Sequence, residues 1–157
     1  MKKQLTINYE WLGDWKELPE SEHILVEKAR EAVQDAYAPY SHFKVGAAVL
    51  LEDGTIIKGN NQENIAYPSG LCAERVALFY ANATYPQTSV KTIVVLADGD
   101  LIAPDECVSP CGSCRQVIAE SEARQKADIR IILVSQDGKT WIFNSIKDIL
   151  VFPFGVK

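Results

Sequence analysis

Cys111 and Cys114 stand three residues apart in VSPCGSCRQVIAE (108–120), with a proline before the pair and a helix-like run after it. Two sulfurs at that spacing can form a redox disulfide, supply half of a zinc site, or simply pack. A second cysteine-bearing segment lies upstream: LCAERVALF places Cys72 and Glu74 at the start of an apolar, helix-like stretch. The interval from Cys72 to Cys111 holds one helix and one strand, and a βαβα unit of that length can bring the starts of two successive helices to one edge of a sheet. Three sulfurs, Cys72, Cys111 and Cys114, would then converge on one ion. Zinc suits thiolates, and catalytic zinc takes three protein ligands and leaves its fourth position to water. Glu74, two residues past Cys72, need not bind the metal and is placed to exchange protons with that water.

The charge balance fits this chemistry. Three thiolates carry more negative charge than a divalent cation neutralises, which opposes ionisation of a bound water. Helix N-termini offset that excess with partial positive charge and free N–H groups. Arg75, beside Glu74, and Arg115, beside Cys114, are expected to hydrogen-bond the sulfurs and withdraw more of it. Cys107 lies outside both helix starts, and a fourth sulfur would close the site, so it reads as a bystander. His23 and His42 read as surface or packing residues.

These groups must be positioned by secondary structure. The pattern predicts a helix from Ser21 to about Ala36, with Ile24, Leu25, Ala29, Ala32 and Val33 on one face. FKVGAAVLLEDGTIIKGN reads as two strands joined at Asp53-Gly54. A helix from about Gly70 to Asn82, a buried strand KTIVVLAD, a helix from Gly112 to about Ala123, and the strand IRIILVS follow. A turn at Asp137-Gly138, a short strand at TWIF and a last helical turn complete the chain. This order predicts an α/β protein, a three-layer α/β/α sandwich around a central mixed sheet of five strands. Residues 1–20 read as an N-terminal extension and 21–157 as a single catalytic domain. Leu5, Ile7, Tyr9, Trp11, Leu12 and Trp15 argue that the extension packs onto the domain.

The 157 residues, 47% hydrophobic and 24% charged, fit one soluble globular domain. The net charge of −5 and the absence of any Lys/Arg run argue against a nucleic-acid partner and favour a small neutral substrate. MKKQLTINYEWLGDW has no apolar core of signal-peptide length, and no 18-residue apolar span follows. The expected setting is therefore the cytoplasm, away from membranes, where thiols stay reduced and cysteines read as metal or catalytic groups.

With these motifs assembled, the chain resembles the small, three-cysteine, homotetrameric cytidine deaminases. The resemblance runs from about Ser21 to the end through YSHFKVGAAV, GNNQENIAY, YPSGLCAERVALF and SPCGSCRQV. It implies zinc-dependent hydrolysis of cytidine and deoxycytidine to uridine and deoxyuridine in pyrimidine salvage, with one zinc per subunit. Position by position, Cys72, Cys111 and Cys114 match the zinc ligands and Glu74 the proton shuttle. Asn61 and Glu63 match groups that bind the ribose hydroxyls, within a substrate segment ending at Tyr67. Phe43 matches an aromatic beside the base, and Phe154 one that reaches a neighbouring subunit's site. The backbone around Ala73 and Ser109 is expected at the base edge and the departing amine. Gln62 stands where the family tends to have an apolar residue, Ile65 and Ser113 where it has alanine. ILVFPF replaces the usual LLPxxF, with Val151 in place of the proline.

Other readings separate on particular residues. A deaminase of another free heterocycle or of an aminonucleoside antibiotic would lack the ribose-binding Asn61, Glu63 and Asn64, which are present. An RNA- or DNA-editing deaminase fits poorly with the acidic balance and with cysteine before Ala73-Glu74. A structural zinc-binding interaction module requires a closed four-ligand site. A thioredoxin-like protein would carry its C-x-x-C near the first βα turn, not late in the chain.

Overall fold

A computed structural model describes residues 1–155. Among these described residues six strands form one mixed sheet in the order β1-β6-β5-β4-β2-β3. They are β1 (Glu10–Leu12), β2 (Lys44–Leu51), β3 (Ile56–Asn60), β4 (Val90–Asp98), β5 (Arg130–Val134) and β6 (Thr140–Phe143). Only β4 and β5 pair in parallel; every other neighbouring pair is antiparallel. Three helices cover the sheet: α1 (Glu20–Gln34), α2 (Ala73–Thr84) and α3 (Gly112–Gln125). Among the described residues no helix is long and apolar enough to cross a membrane.

Because both faces of the sheet are buried, the central strands are apolar without interruption. Alternate residues divide between two cores. Ala47, Val49, Ile93, Val95, Ile131 and Leu133 pack against α2 and α3 through Ala77, Leu78 and Ile118. Ala48, Val94, Leu96, Ile132 and Val134 pack against α1 through Leu25, Val26, Ala29 and Val33. This is the expected three-layer arrangement, with the helices where the sequence places them to within a few residues.

The sheet has six strands rather than five. The sixth comes from the N-terminal extension, where Glu10, Trp11 and Leu12 pair with Ile142, Trp141 and Thr140. The β5–β6 hairpin leaves an open edge of unpaired N–H and C=O groups, and an apolar segment within reach covers it. Leu12 then packs against the α1-side core, and the Tyr9 ring lies 5.8 Å from that of Phe143. Next along the chain, the Trp15 amide donates to Gly138 O at 2.8 Å. The Trp15 indole meets His23 edge-on at 5.3 Å and lies under the Arg30 guanidinium at 5.5 Å. His23 is thus a packing residue.

Strand direction decides where a site can form. β3 and β4 both run antiparallel to β2, so they point the same way and end at the same edge of the sheet. The chain leaves β3 to begin α2 and leaves β4 to begin α3, which sets both helix N-termini over that edge. The loop that enters β2 lies there too. Gly59 lets α2 start this close: a Cβ there would fall 2.5 Å from Ala73 O and 2.6 Å from Ala77 N, distances no side chain tolerates. α2 begins at Ala73 rather than Gly70, because Pro68 lies in a short 3-10 turn over Tyr67–Ser69 and Gly70 is extended.

Candidate active site

Cys72 is the N-cap of α2, Cys111 the N-cap of α3, and Cys114 sits buried in the first turn of α3. Their sulfurs lie within 4.8 Å of one another, with Cys72 Sγ–Cys111 Sγ at 3.9 Å and Cys111 Sγ–Cys114 Sγ at 3.4 Å. Tetrahedral zinc with bonds of about 2.3 Å to sulfur sets its ligand sulfurs ~3.8 Å apart, so the trio fits zinc. All four cysteines are free thiols. Cys107 is half-buried, packs against the α2/α3-side core and stands apart from the trio. Burial pushes its thiol up to about 11, which keeps it protonated and inert.

Within the trio, the Cys72 and Cys114 thiols differ in acidity. A hydrogen bond with Cys114, then those with Arg75 and Cys111, push Cys72 down to about 5 against the opposing effect of burial. Cys114 moves up, because it donates to Cys72 and because it is buried. Cys72 is thus the more acidic and Cys114 the less acidic of the pair. Arg75 Nη2 donates to Cys72 Sγ at 3.6 Å, as expected. Arg75 Nε is buried without a hydrogen-bond partner.

Arg115 does not serve the sulfurs as expected. Its guanidinium donates to Pro110 O at 2.8 Å, Ile149 O at 2.6 Å and Ser109 Oγ at 2.7 Å. Adjacency in sequence misled here: on α3, Arg115 points back along the segment entering the helix, where oxygen acceptors lie nearer than sulfur. It ties that segment to the last turn of the chain.

Cys72 and Cys111 open onto a cavity of about 580 Å³, a size that suits a small organic ligand. Glu74 lines it while only 4% exposed. Burial raises the proton affinity of this carboxyl, and the neighbouring Cys72 thiolate adds to the effect. Phe43, Asn61, Glu63, Tyr67 and Ser109 line the same cavity. Ala73, the first residue of α2, is fully buried and is not among the residues lining the cavity. Tyr67 is exposed at the rim, edge-on to Tyr40 at 6.1 Å. Phe154 lies outside the cavity lining and is 89% exposed; its backbone exchanges hydrogen bonds with the Gln116 amide.

Asn61 and Glu63 are held by the loop entering β2. Asn61 Oδ1 accepts from Val45 N at 2.8 Å and its Nδ2 donates to Phe43 O at 2.9 Å, extending the β2–β3 pairing with a side chain. Glu63 accepts from the Tyr40 amide at 2.9 Å, from the Ser41 amide at 3.2 Å and from the Ser41 hydroxyl. The hydrogen bond from Ser41, assisted by the two amides, holds its carboxyl below the ordinary range despite some desolvation. Ser41 escapes a reading of the sequence because its partner lies across two strands and neither residue type marks the pairing.

Residues 19–127 match the model of the cytidine and deoxycytidylate deaminase zinc-binding region. The chain is 51% identical over 96 residues to a cytidine deaminase of Sporosarcina psychrophila, covering 61% of this chain and 66% of that protein. It is 46% identical over 97 residues to one from Halalkalibacterium halodurans, covering 62% and 69%. The matched stretch thus spans about two thirds of each relative. The fold resembles the crystal structure of a Burkholderia pseudomallei cytidine deaminase with a TM-score of 0.72 at 36% identity, covering 84% of this chain and 98% of that one. A Mycobacterium tuberculosis cytidine deaminase matches with a TM-score of 0.64 at 28% identity, covering 85% and 97%.

Proposed function

The chain belongs to the family of cytidine and deoxycytidylate deaminases, and we propose that its cavity hydrolyses cytidine and deoxycytidine to uridine and deoxyuridine plus ammonia, as in pyrimidine salvage. One observation carries this reading. The buried Glu74 and the three-sulfur cluster meet at one cavity that also presents Asn61 and Glu63. Cys72, Cys111 and Cys114 hold one zinc. When bound, zinc supplies a nucleophile by acidifying a water near neutral pH.

The chain's own residues do the rest. Glu74 accepts the proton the water loses and delivers it to N3 of the pyrimidine, which makes C4 electrophilic. The oxygen left by that water adds to C4; Glu74 then takes the hydrogen of the resulting C4 hydroxyl and passes it to the amine, so that the C4–N bond breaks, ammonia departs and a C4 carbonyl remains. A carboxyl whose proton affinity is raised by burial suits a group that must act first as base and then as acid. Phe43 packs beside the base, and the backbone at Ala73 and Ser109 frames its edge and the departing amine. Asn61 and Glu63 bind the sugar hydroxyls, and Tyr67 closes the rim. Arg75 withdraws charge from Cys72.

We assign residues 21–157 to the catalytic domain and 1–20 to an extension that supplies the sixth strand. The active form is read as a homotetramer. Phe152 and Phe154, 94% and 89% exposed beside Val151, form an apolar end suited to a neighbouring subunit, with Phe154 directed to that subunit's site. Four free thiols suit the reducing cytoplasm.

The test is ultraviolet monitoring of cytidine, deoxycytidine and adenosine with purified protein whose zinc content is measured on the same sample. Turnover of the two cytidines alone is expected. A zinc-loaded protein that leaves both untouched overturns the reading.

A further inference from the structure

We propose that Ser41 is a positioning residue for the substrate's sugar, fixing the Glu63 carboxylate so that one acceptor site is left for one hydroxyl. The proposal rests on the reading that Glu63 binds the sugar. The Phe43 amide donates to Ser41 Oγ at 3.1 Å, which occupies an acceptor site of that hydroxyl and aims its single proton at Glu63 Oε1. Glu63 Oε2 is occupied by the Tyr40 and Ser41 amides. A carboxylate offers about four acceptor sites; three are filled, and the free one lies on Oε1, beside the Ser41 hydroxyl. Such a group accepts only, so the ligand atom facing it must donate. A sugar hydroxyl qualifies and a ring oxygen does not.

The backbone is bent to make this clamp. His42 takes a left-handed φ of 55°, which turns Ser41 toward Glu63 and Phe43 toward the cavity. Gly99 lets the bend fit, because a Cβ there would fall 2.8 Å from His42 O and 2.9 Å from the Phe43 ring. Ser41 therefore joins the sugar-side carboxylate to the base-side aromatic through one hydroxyl.

The experiment compares deoxycytidine with 2′,3′-dideoxycytidine, which lacks the ring hydroxyls, on wild type, Ser41→Ala, Ser41→Thr and Glu63→Gln. The readout is kcat/KM, or competitive inhibition constants where turnover is slow. Ser41→Ala is expected to lower kcat/KM for deoxycytidine by about 10–100-fold, the loss of a hydrogen bond to a charged group, and that for the dideoxy substrate by a clearly smaller factor, through the Phe43 amide alone, so that the ratio between the two falls. Ser41→Thr, which keeps the hydroxyl, should retain the discrimination. Ser41→Gly repeats the deletion should the alanine variant fold poorly. Equal loss on both substrates, or an unchanged ratio, overturns the positioning role. If Glu63→Gln abolishes the discrimination and Ser41→Ala does not, Ser41 alone is misassigned. If Glu63→Gln preserves it, the sugar-binding reading of Glu63 fails and this proposal fails with it.

Discussion

Cys72 caps α2 and Glu74 lies in its first turn, so one helix end offers a sulfur to the metal and buries a carboxylate at the same cavity. The two roles are nevertheless separable, since Glu74 is not among the clustered ligand atoms. Glu74→Gln should keep the fold and the zinc and lose turnover by at least about 10²–10⁴-fold, the usual contribution of general acid–base catalysis. One group serving both proton transfers favours the upper end. A variant that keeps a tenth of wild-type kcat would remove Glu74 from the chemistry.

Metal content should divide the cysteines three to one. Cys72→Ser, Cys111→Ser and Cys114→Ser each break a three-sulfur set and should lose most of the zinc. Cys107→Ser changes a packing thiol that burial keeps protonated and should retain it. Metal analysis of the four purified variants decides: comparable zinc loss in the Cys107 variant refutes the three-ligand set.

Much of this site was legible because its signals are local. Cys72, Glu74, Cys111 and Cys114 carry their chemistry in residue type and spacing, and the strand order shows why two helix starts share an edge. Contacts across the fold were not legible. Arg115 turned to two backbone oxygens and the Ser109 hydroxyl, and Ser41 found Glu63 across a hairpin. The sixth strand was half visible: of the apolar residues that argued for packing of the extension, Leu12 and Trp15 pack against the core while Leu5, Ile7, Tyr9 and Trp11 stay exposed, and nothing in three residues named β6 as the partner.

The Glu63 clamp has a pH signature. Hydrogen bonds from Ser41 and the amides of Tyr40 and Ser41 hold its carboxyl below the ordinary 4.5. A depressed carboxyl contributes its stabilisation fully above the unfolded value and loses it as pH falls through the folded one. The clamp should therefore persist at pH 5 and open only below 4.5. The Tyr40 amide resonance, followed by NMR through an acid titration, should move with a midpoint below that value. A midpoint above it contradicts the clamp.

Removing residues 1–13 should cost stability but not chemistry. The segment supplies β1 and the partly buried Leu12 and no cavity-lining residue. Loss of three paired residues and one apolar side chain should lower the unfolding free energy by roughly 1–3 kcal/mol, with kcat and zinc content unchanged. Denaturant unfolding and a steady-state assay on the truncated chain test both halves; a large fall in kcat at full zinc loading would place the extension in the site.

The strongest single-residue effect on folding away from the cavity should come from Glu122, which is 5% exposed in α3. Its Oε1 accepts from the amides of Ile129 and Ile146, each at 2.9 Å, and its Oε2 accepts from the Ser145 hydroxyl at 2.9 Å. One carboxylate thus ties α3 to the segment entering β5 and to the last turn of the chain, which Arg115 holds from its other end through Ile149. Glu122→Ala leaves three buried donors without a partner, each costing about 1–3 kcal/mol, so a loss of at least about 3 kcal/mol is expected. Glu122→Gln keeps one acceptor oxygen but presents an NH₂ to a donor, and should lose roughly half as much. Equilibrium unfolding of both variants gives the comparison. If Glu122→Ala unfolds within about 1 kcal/mol of wild type, near the average for an ordinary substitution, the carboxylate does not hold these segments together.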